Sequence, residues 1–413
     1  MTNHANVASP VLGQKRGSIG VVAVAHFFSH FFIMTLPPLF PLLKDALGVS
    51  YAELSLVVVV FNGIGALAHI PMGVLVDRIG APTLLIAALI VQGITLITIA
   101  LTANYGLLLA FMVVGGLANA VYHPADYAIL SYTIDNKVLG RAFSIHTVAG
   151  FAGGAAAPIF VVGLTVLWDW QSAVASSGIL GAATAAFVIF GRGALRRAPS
   201  EEAVEAPGTP GERPFKDVLG LLLSRPILLA FLFWLCIAVS YDGIAVFSVA
   251  ALDQLFRVPL ATATSGLTGF MVGASAGILL GGVLGDYTRH HTRIVVGGCT
   301  LSALLILLVG TVSLPVTLIT AVLTAAGVCW GVIMPARDLI VRSLTPPNAT
   351  GAVFGFVSTG FNVGGITAPF LFGWLLDQKM AQSIFLISSC FMVLTLLTAL
   401  GVQLTTKPTR PLE

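Results

Sequence analysis

Charge is the scarcest commodity in this chain. Its 413 residues carry 20 Lys+Arg and 17 Asp+Glu, so only 9% are charged. A soluble globular domain has about 25%. So few charges cannot solvate the surface of a soluble fold of this size, whereas 57% of the residues are hydrophobic. The composition predicts an all-α integral membrane protein. Cysteine is nearly absent too. Cys236, Cys299, Cys329 and Cys390 each lie in an apolar run and none forms a CxxC pair, which argues against a disulfide framework or a thiolate zinc site. There is no GxxxxGK[ST] phosphate loop and no long polar domain that could hydrolyse ATP. Nothing in the pattern suggests a nucleic-acid partner, and a monomer is expected.

What the chain has is long apolar runs. A transmembrane helix needs about 20 apolar residues. Twelve spans are predicted, at 18–43, 51–76, 80–101, 105–132, 141–167, 171–193, 218–250, 262–285, 293–313, 315–342, 350–376 and 381–405. The runs are too long for barrel strands and do not alternate. The first run is also too long for a signal-peptide core and reads as a retained span. With both termini placed in the cytoplasm, sixteen Lys and Arg fall inside and three (Lys44, Arg257, Lys379) outside, with Arg337 within a span. This asymmetry fits an even number of spans in a cytoplasmic (inner) membrane. The segment "LRRAPSEEAVEAPGTPGERPFK" reads as a flexible cytoplasmic linker. The predicted organisation is a tail (1–17), a six-helix bundle (18–194), a linker (195–217), a second six-helix bundle (218–405) and a tail (406–413).

The halves repeat. "HPADYAILSYTIDNKVLGRAFSIHTVAGFAGGAAAP" from His123 aligns without a gap on "MPARDLIVRSLTPPNATGAVFGFVSTGFNVGGITAP" from Met334. Pro124, Gly153, Gly154 and Pro158 fall on Pro335, Gly364, Gly365 and Pro369, and Asp126 falls on Arg337. Upstream, "PMGVLVDR" matches "GGVLGDYTR", placing Asp77 on Asp286. Parallel repeats of this kind form a site where they meet.

Ionisable side chains inside spans are costly and mark functional positions. Span 1 carries His26 and His30, four residues apart on one helix face. Span 4 carries Tyr122, His123 and Asp126; span 5 carries His146; span 7 carries Asp242; span 10 carries Arg337 and Asp338; span 11 carries Asn362. Three readings stand. Asp126 and Arg337 could pair as an inner gate. Arg337 could instead hold an anionic substrate while Asp126 carries a proton. Or Arg337 could pair locally with Asp338. His30, His26, His123, His146, Asp126 and Asp242 are the proton candidates, because imidazole titrates near neutrality. His146 also reads as a hydrogen-bonding bridge between helices. A metal site at His26 and His30 is not expected, since no third ligand is evident. Pro37 and Pro38 should kink or end the helix of span 1.

"GVLVDRIG" (Gly73, Asp77, Arg78, Gly80) resembles the loop 2–3 signature of the major facilitator superfamily, although "APT" replaces the basic residues that usually follow. The resemblance covers the whole chain. "YHPAD" with "GFAGGAAAP" is similar to the fosmidomycin-resistance branch of exporters. The resemblance implies two rocking bundles around a cavity lined by spans 1, 4, 7 and 10. It assigns Asp77, Arg78, Asp286 and Arg289 to a conformational-switch loop. It makes Gly150, Gly153, Gly154, Pro158, Gly364, Gly365 and Pro369 a packing motif of spans 5 and 11. The expected function is secondary active transport of a small polar or anionic organic solute. No cofactor is expected beyond a proton gradient. Export by proton antiport leads, uptake of an organic anion by symport follows, and a membrane receptor or enzyme is the remote class.

Overall fold

The computed structural model describes residues 8–195, 215–288, 290–346 and 350–405. They form fifteen α-helices, two short 3-10 turns and, among the described residues, no strand. Contacts divide the chain into two compact units, Met1–Glu201 and Glu202–Glu413. The boundary falls in the proline- and charge-rich segment.

The first unit holds α1 (Ala8–Ile33), α2 (Phe40–Leu47), α3 (Tyr51–Ile79), α4 (Ala81–Thr102), α5 (Tyr105–Thr133), α6 (Asn136–Leu167) and α7 (Trp170–Phe190). The second holds α8 (Phe215–Leu222), α9 (Arg225–Ala245), α10 (Ser248–Phe256), α11 (Leu260–Tyr287), α12 (His291–Thr311), α13 (Val316–Leu344), α14 (Thr350–Asp377) and α15 (Gln382–Thr405). Eleven of the spans are long and apolar enough to cross a membrane. The twelfth, α14, has 28 residues and a single charge, Asp377.

The two units share several helix pairings, although α9 also packs closely on α15 where the equivalent α1 meets α7 only lightly. In the first, α1 packs on α6, α3 on α5, and α4 on α5 and α7. In the second, α9 packs on α14, α11 on α13, and α12 on α13 and α15. The repeat in the sequence is therefore a repeat of packing partners.

Two predicted spans are not single helices. Span 1 breaks after Ile33, with a 3-10 turn at Pro37–Leu39 leading into α2. Pro37 and Pro38 lack the backbone N–H groups a continuing helix would need. Span 7 breaks at both ends: α8 stops at Leu222, before Arg225 and Pro226, and α9 ends at Ala245 before α10 begins. By contrast, α5, α6, α13 and α14 run through Pro124, Pro158, Pro335 and Pro369. Neighbouring helices can compensate the lost bond where a spanning helix is packed on all sides.

Three helix starts carry side-chain caps, at Ser50, Asn104 and Asp169. Ser50 Oγ accepts from Glu53 N at 3.1 Å, while Ser50 N donates to Glu53 Oε2 at 2.7 Å, a complete capping box at the head of α3. Ser50→Ala should cost about 1 kcal/mol; unchanged thermal unfolding of the purified protein would remove that role. At the head of α7, Asp169 accepts from Ser172 N at 2.6 Å. That bond holds the Asp169 carboxyl below its usual range. A depressed carboxyl stabilises above its unfolded pKa, so this cap weakens as pH falls through the carboxylate range.

Gly80 ends α3 and precedes α4 with φ 101°, a conformation L side chains rarely adopt. Asp77 and Arg78 lie exposed in the last turn before it. Arg289, most of the linker and both chain ends lie outside the described residues, as does the side chain of Asp286.

Candidate functional site

Six ionisable or aromatic polar residues of the first unit, His26, His30, His123, Asp126, Tyr127 and His146, come together. Spacing explains the convergence. His26 and His30 are i, i+4 on α1; His123, Asp126 and Tyr127 are i, i+3, i+4 on α5; His146, Gly150 and Gly153 are i, i+4, i+7 on α6. Each set forms one helix stripe. α6 can lie directly against α1 because Gly153 has no side chain: a Cβ there would collide with the Phe27 carbonyl oxygen. One turn away, a Cβ at Gly150 would sit 2.8 Å from His26 Nε2 and 2.9 Å from His30 Cδ2. The two glycines thus leave the room that the histidine rings fill.

At the centre is Asp126, which is 0% exposed. His146 Nε2 donates to its Oδ2 at 3.0 Å, and His26 Nδ1 lies 3.2 Å from the same oxygen. The His26 and His146 rings stack at 3.5 Å between centroids. His30 and His123 flank His26, with centroids at 4.7 and 4.9 Å. His69 of α3 approaches His123 at 6.1 Å, and Tyr127 stacks on His123 at 5.7 Å. Tyr122 is buried beside this group. Among the described residues, Asp126 Oδ1, His123 Nδ1, His146 Nδ1 and the Tyr122 hydroxyl have no hydrogen-bond partner.

This arrangement changes two expectations. His146 does bridge helices, as the sequence suggests, but its partner is the buried carboxylate itself. A third candidate ligand beside the His26–His30 pair, not evident from the sequence, is His123. A second group of three, His26, Asp126 and His146, shares His26. The sequence hid both because the partners sit about 100 residues apart on separate helices.

The second unit has its own polar positions. Arg337 on α13 is 12% exposed and Asp338 49%. Arg337 Nε donates to Asp338 Oδ1 at 3.0 Å, and its guanidinium carbon lies 3.6 Å from the centroid of the Trp234 ring on α9. The local Arg337–Asp338 pair that the sequence allowed is thus formed. Trp234 went unnoticed, since nothing in the sequence ties α9 to α13 at this level. Asp126 and Arg337 each find partners within their own unit. Asp242 is buried on α9 beside Tyr241, which stacks on Trp330 at 4.8 Å. Asn362 lies exposed on α14.

The glycine motif divides in the same way. Gly364 repeats the close approach of Gly153, a Cβ there reaching 2.8 Å from Leu235 O. At Gly154 a Cβ would meet only Met34 Cγ, at 3.8 Å, which is ordinary contact. Pro158 and Pro369 are buried in the same helices, as is Gly365.

The fold is shared with known transporters. A bacterial homologue of the human lysosomal transporter Spinster, in an inward-facing unoccupied conformation, superposes with a TM-score of 0.78 at 14% identity, covering 96% of this chain and 99% of that one. The same homologue in an inward-facing occupied conformation gives 0.72 at 15% identity, covering 94% and 95%. A point mutant of the nucleoside transporter NupG gives 0.74 at 14% identity, covering 94% and 99%. No curated protein sequence matches the chain. The profile of the Major Facilitator Superfamily matches residues 22–252 and 234–413. The chain therefore belongs to the major facilitator superfamily, as a multi-pass secondary transporter of the membrane and not an enzyme.

Proposed function

We propose that the protein moves a small polar or anionic organic solute by alternating access, coupled to protons, as an exporter working by antiport in a cytoplasmic membrane with both termini inside. The observation that carries the reading is Asp126, fully buried and held by two imidazoles. An ionised carboxylate is costly to bury without a positive partner. The groups that touch it are imidazoles, which supply compensating charge by taking up protons. A carboxylate and its imidazoles therefore hold or release a proton as a set, and a change in water access to that set changes its occupancy. Export is favoured by the likeness of the span 4–5 region to fosmidomycin-resistance exporters.

Arg337 supports a second reading, uptake of an organic anion by symport. Its guanidinium keeps N–H groups beyond the one given to Asp338 and lies against the Trp234 ring. A guanidinium with free N–H groups suits a carboxylate or phosphate. Flux in proteoliposomes, with a panel of metabolites and antibiotics and the pH gradient imposed in either direction, separates the two. Antiport moves solute against the proton flow and symport moves it with the proton flow; no protein-dependent flux with any solute would refute both.

Arg337→Ala should weaken the apparent affinity for an anionic solute about tenfold or more, a hydrogen bond to a charged group being worth roughly 1.5–3 kcal/mol. Unaltered affinity and rate in that variant would show that the Arg337–Asp338–Trp234 group only packs.

A further inference from the structure

We propose that His26, Asp126 and His146 form a binding site for one divalent transition-metal ion of the zinc class. The inference goes beyond proton coupling, and it stands on geometry. The candidate ligand atoms of the three residues all lie within 4.8 Å of one another. In a tetrahedral zinc site with bonds of 2.0–2.1 Å, ligand atoms are about 3.3 Å apart. His26 Nδ1 and His146 Nε2 stand 3.2 and 3.0 Å from Asp126 Oδ2, so both separations already match.

The cluster also has unmet bonding capacity. Asp126 Oδ1, His146 Nδ1 and His123 Nδ1 are buried and have no hydrogen-bond partner among the described residues. Buried polar atoms are nearly always paired, so orphans gathered at one point call for an explanation. A bound cation accounts for one of them, Asp126 Oδ1, since a carboxylate can ligate through either oxygen or both; the ion also answers the carboxylate charge and takes the place of the proton between His146 and Asp126.

The donor set selects the ion. Two imidazoles and one carboxylate suit zinc, cobalt or nickel. Calcium and magnesium require oxygen ligands almost throughout. No cysteine lies in the group, which disfavours ions that prefer thiolate. The three ligands leave an open coordination position. His30 and His123, grouped with His26 within the same 4.8 Å limit, form an adjoining set that shares one of the ligands. Only one of the two groups can use His26 unless its ring bridges, and the Asp126 group alone contributes negative charge.

The test uses tag-free, full-length protein stripped with a chelator and titrated with zinc chloride by calorimetry, then with cobalt chloride followed by visible absorption. One equivalent per chain is expected. Asp126→Asn and His146→Gln should each weaken binding about 100-fold or more, given that loss of even an outer-shell partner costs 10–100-fold. His69→Gln should bind as the wild type does. Zinc X-ray absorption on the wild type, which depends on no variant folding, should show nitrogen and oxygen scatterers with imidazole features and no sulfur. Absence of saturable binding, binding indifferent to both substitutions, or a sulfur-containing shell would overturn the proposal. Solute flux without zinc binding would also overturn it while leaving the transport reading intact; zinc binding without flux would uphold it and remove that reading.

Discussion

Asp126→Asn should reduce solute accumulation driven by a pH gradient to the level of protein-free liposomes, while exchange of labelled for unlabelled solute persists. The substitution is nearly isosteric. Asn keeps an oxygen that can accept from His146 Nε2, and it removes the group whose charge requires a proton nearby. Exchange needs the bundles to move and the solute to bind. Net accumulation needs, in addition, a proton to be carried on each cycle. A variant that exchanges but does not accumulate has lost coupling alone. Wild-type accumulation in Asp126→Asn would mean that the buried carboxylate is only a polar tie among α1, α5 and α6. The His26 and His146 positions sharpen the result: each touches the same Oδ2, so replacing either should impair coupling more than replacing His69, whose ring faces only His123 in this group.

The second large effect is steric and has an internal control. Gly153→Ala should destabilise the first unit by about 2 kcal/mol or more, the usual scale of overpacking. The added carbon meets the backbone carbonyl of Phe27, which cannot rotate away as a side-chain tip could. Gly154→Ala, its immediate neighbour, meets Met34 Cγ at an ordinary 3.8 Å. In that position alanine's helix propensity, about 1 kcal/mol better than glycine's, should leave stability equal or improved. The pair can be read by thermal unfolding in detergent with a thiol-reactive or intrinsic-fluorescence probe. Equal midpoints for the two variants would contradict the claim that Gly153 sets the approach of α6 to α1. Because His26 and His30 flank the same contact, Gly153→Ala should also disturb the histidine group.

Much of the architecture was legible because a membrane simplifies the code. Ten of the twelve apolar runs appear as single helices, and the paired prolines and glycines fall at matching places in the two units. Hydropathy fails where two helices join without leaving the apolar phase. Span 1 at least carried Pro37 and Pro38 at its break. The break at Val246 and Phe247 has no proline, and both residues are buried, so no composition signal marks it. The histidines were legible one by one as expensive residues in spans, but their meeting was not. A period of 3.6 says which residues share a stripe; it does not say which stripes face each other. That depends on how closely α1, α5 and α6 approach, and the approach is set by Gly150 and Gly153, whose importance shows only when a Cβ is placed on them. Arg337 illustrates the converse case. Its neighbour in sequence, Asp338, was visible as a partner, while Trp234 on another helix was not.

The coupling claim is tested most directly by recording protons on the protein itself. Tag-free protein in weakly buffered detergent solution, carrying a pH indicator, is mixed with the solute identified by the flux panel. For an antiporter the account predicts protons released on solute binding in the wild type and none released by Asp126→Asn, although that variant still binds the solute. Solute binding with no proton released from either protein would contradict it.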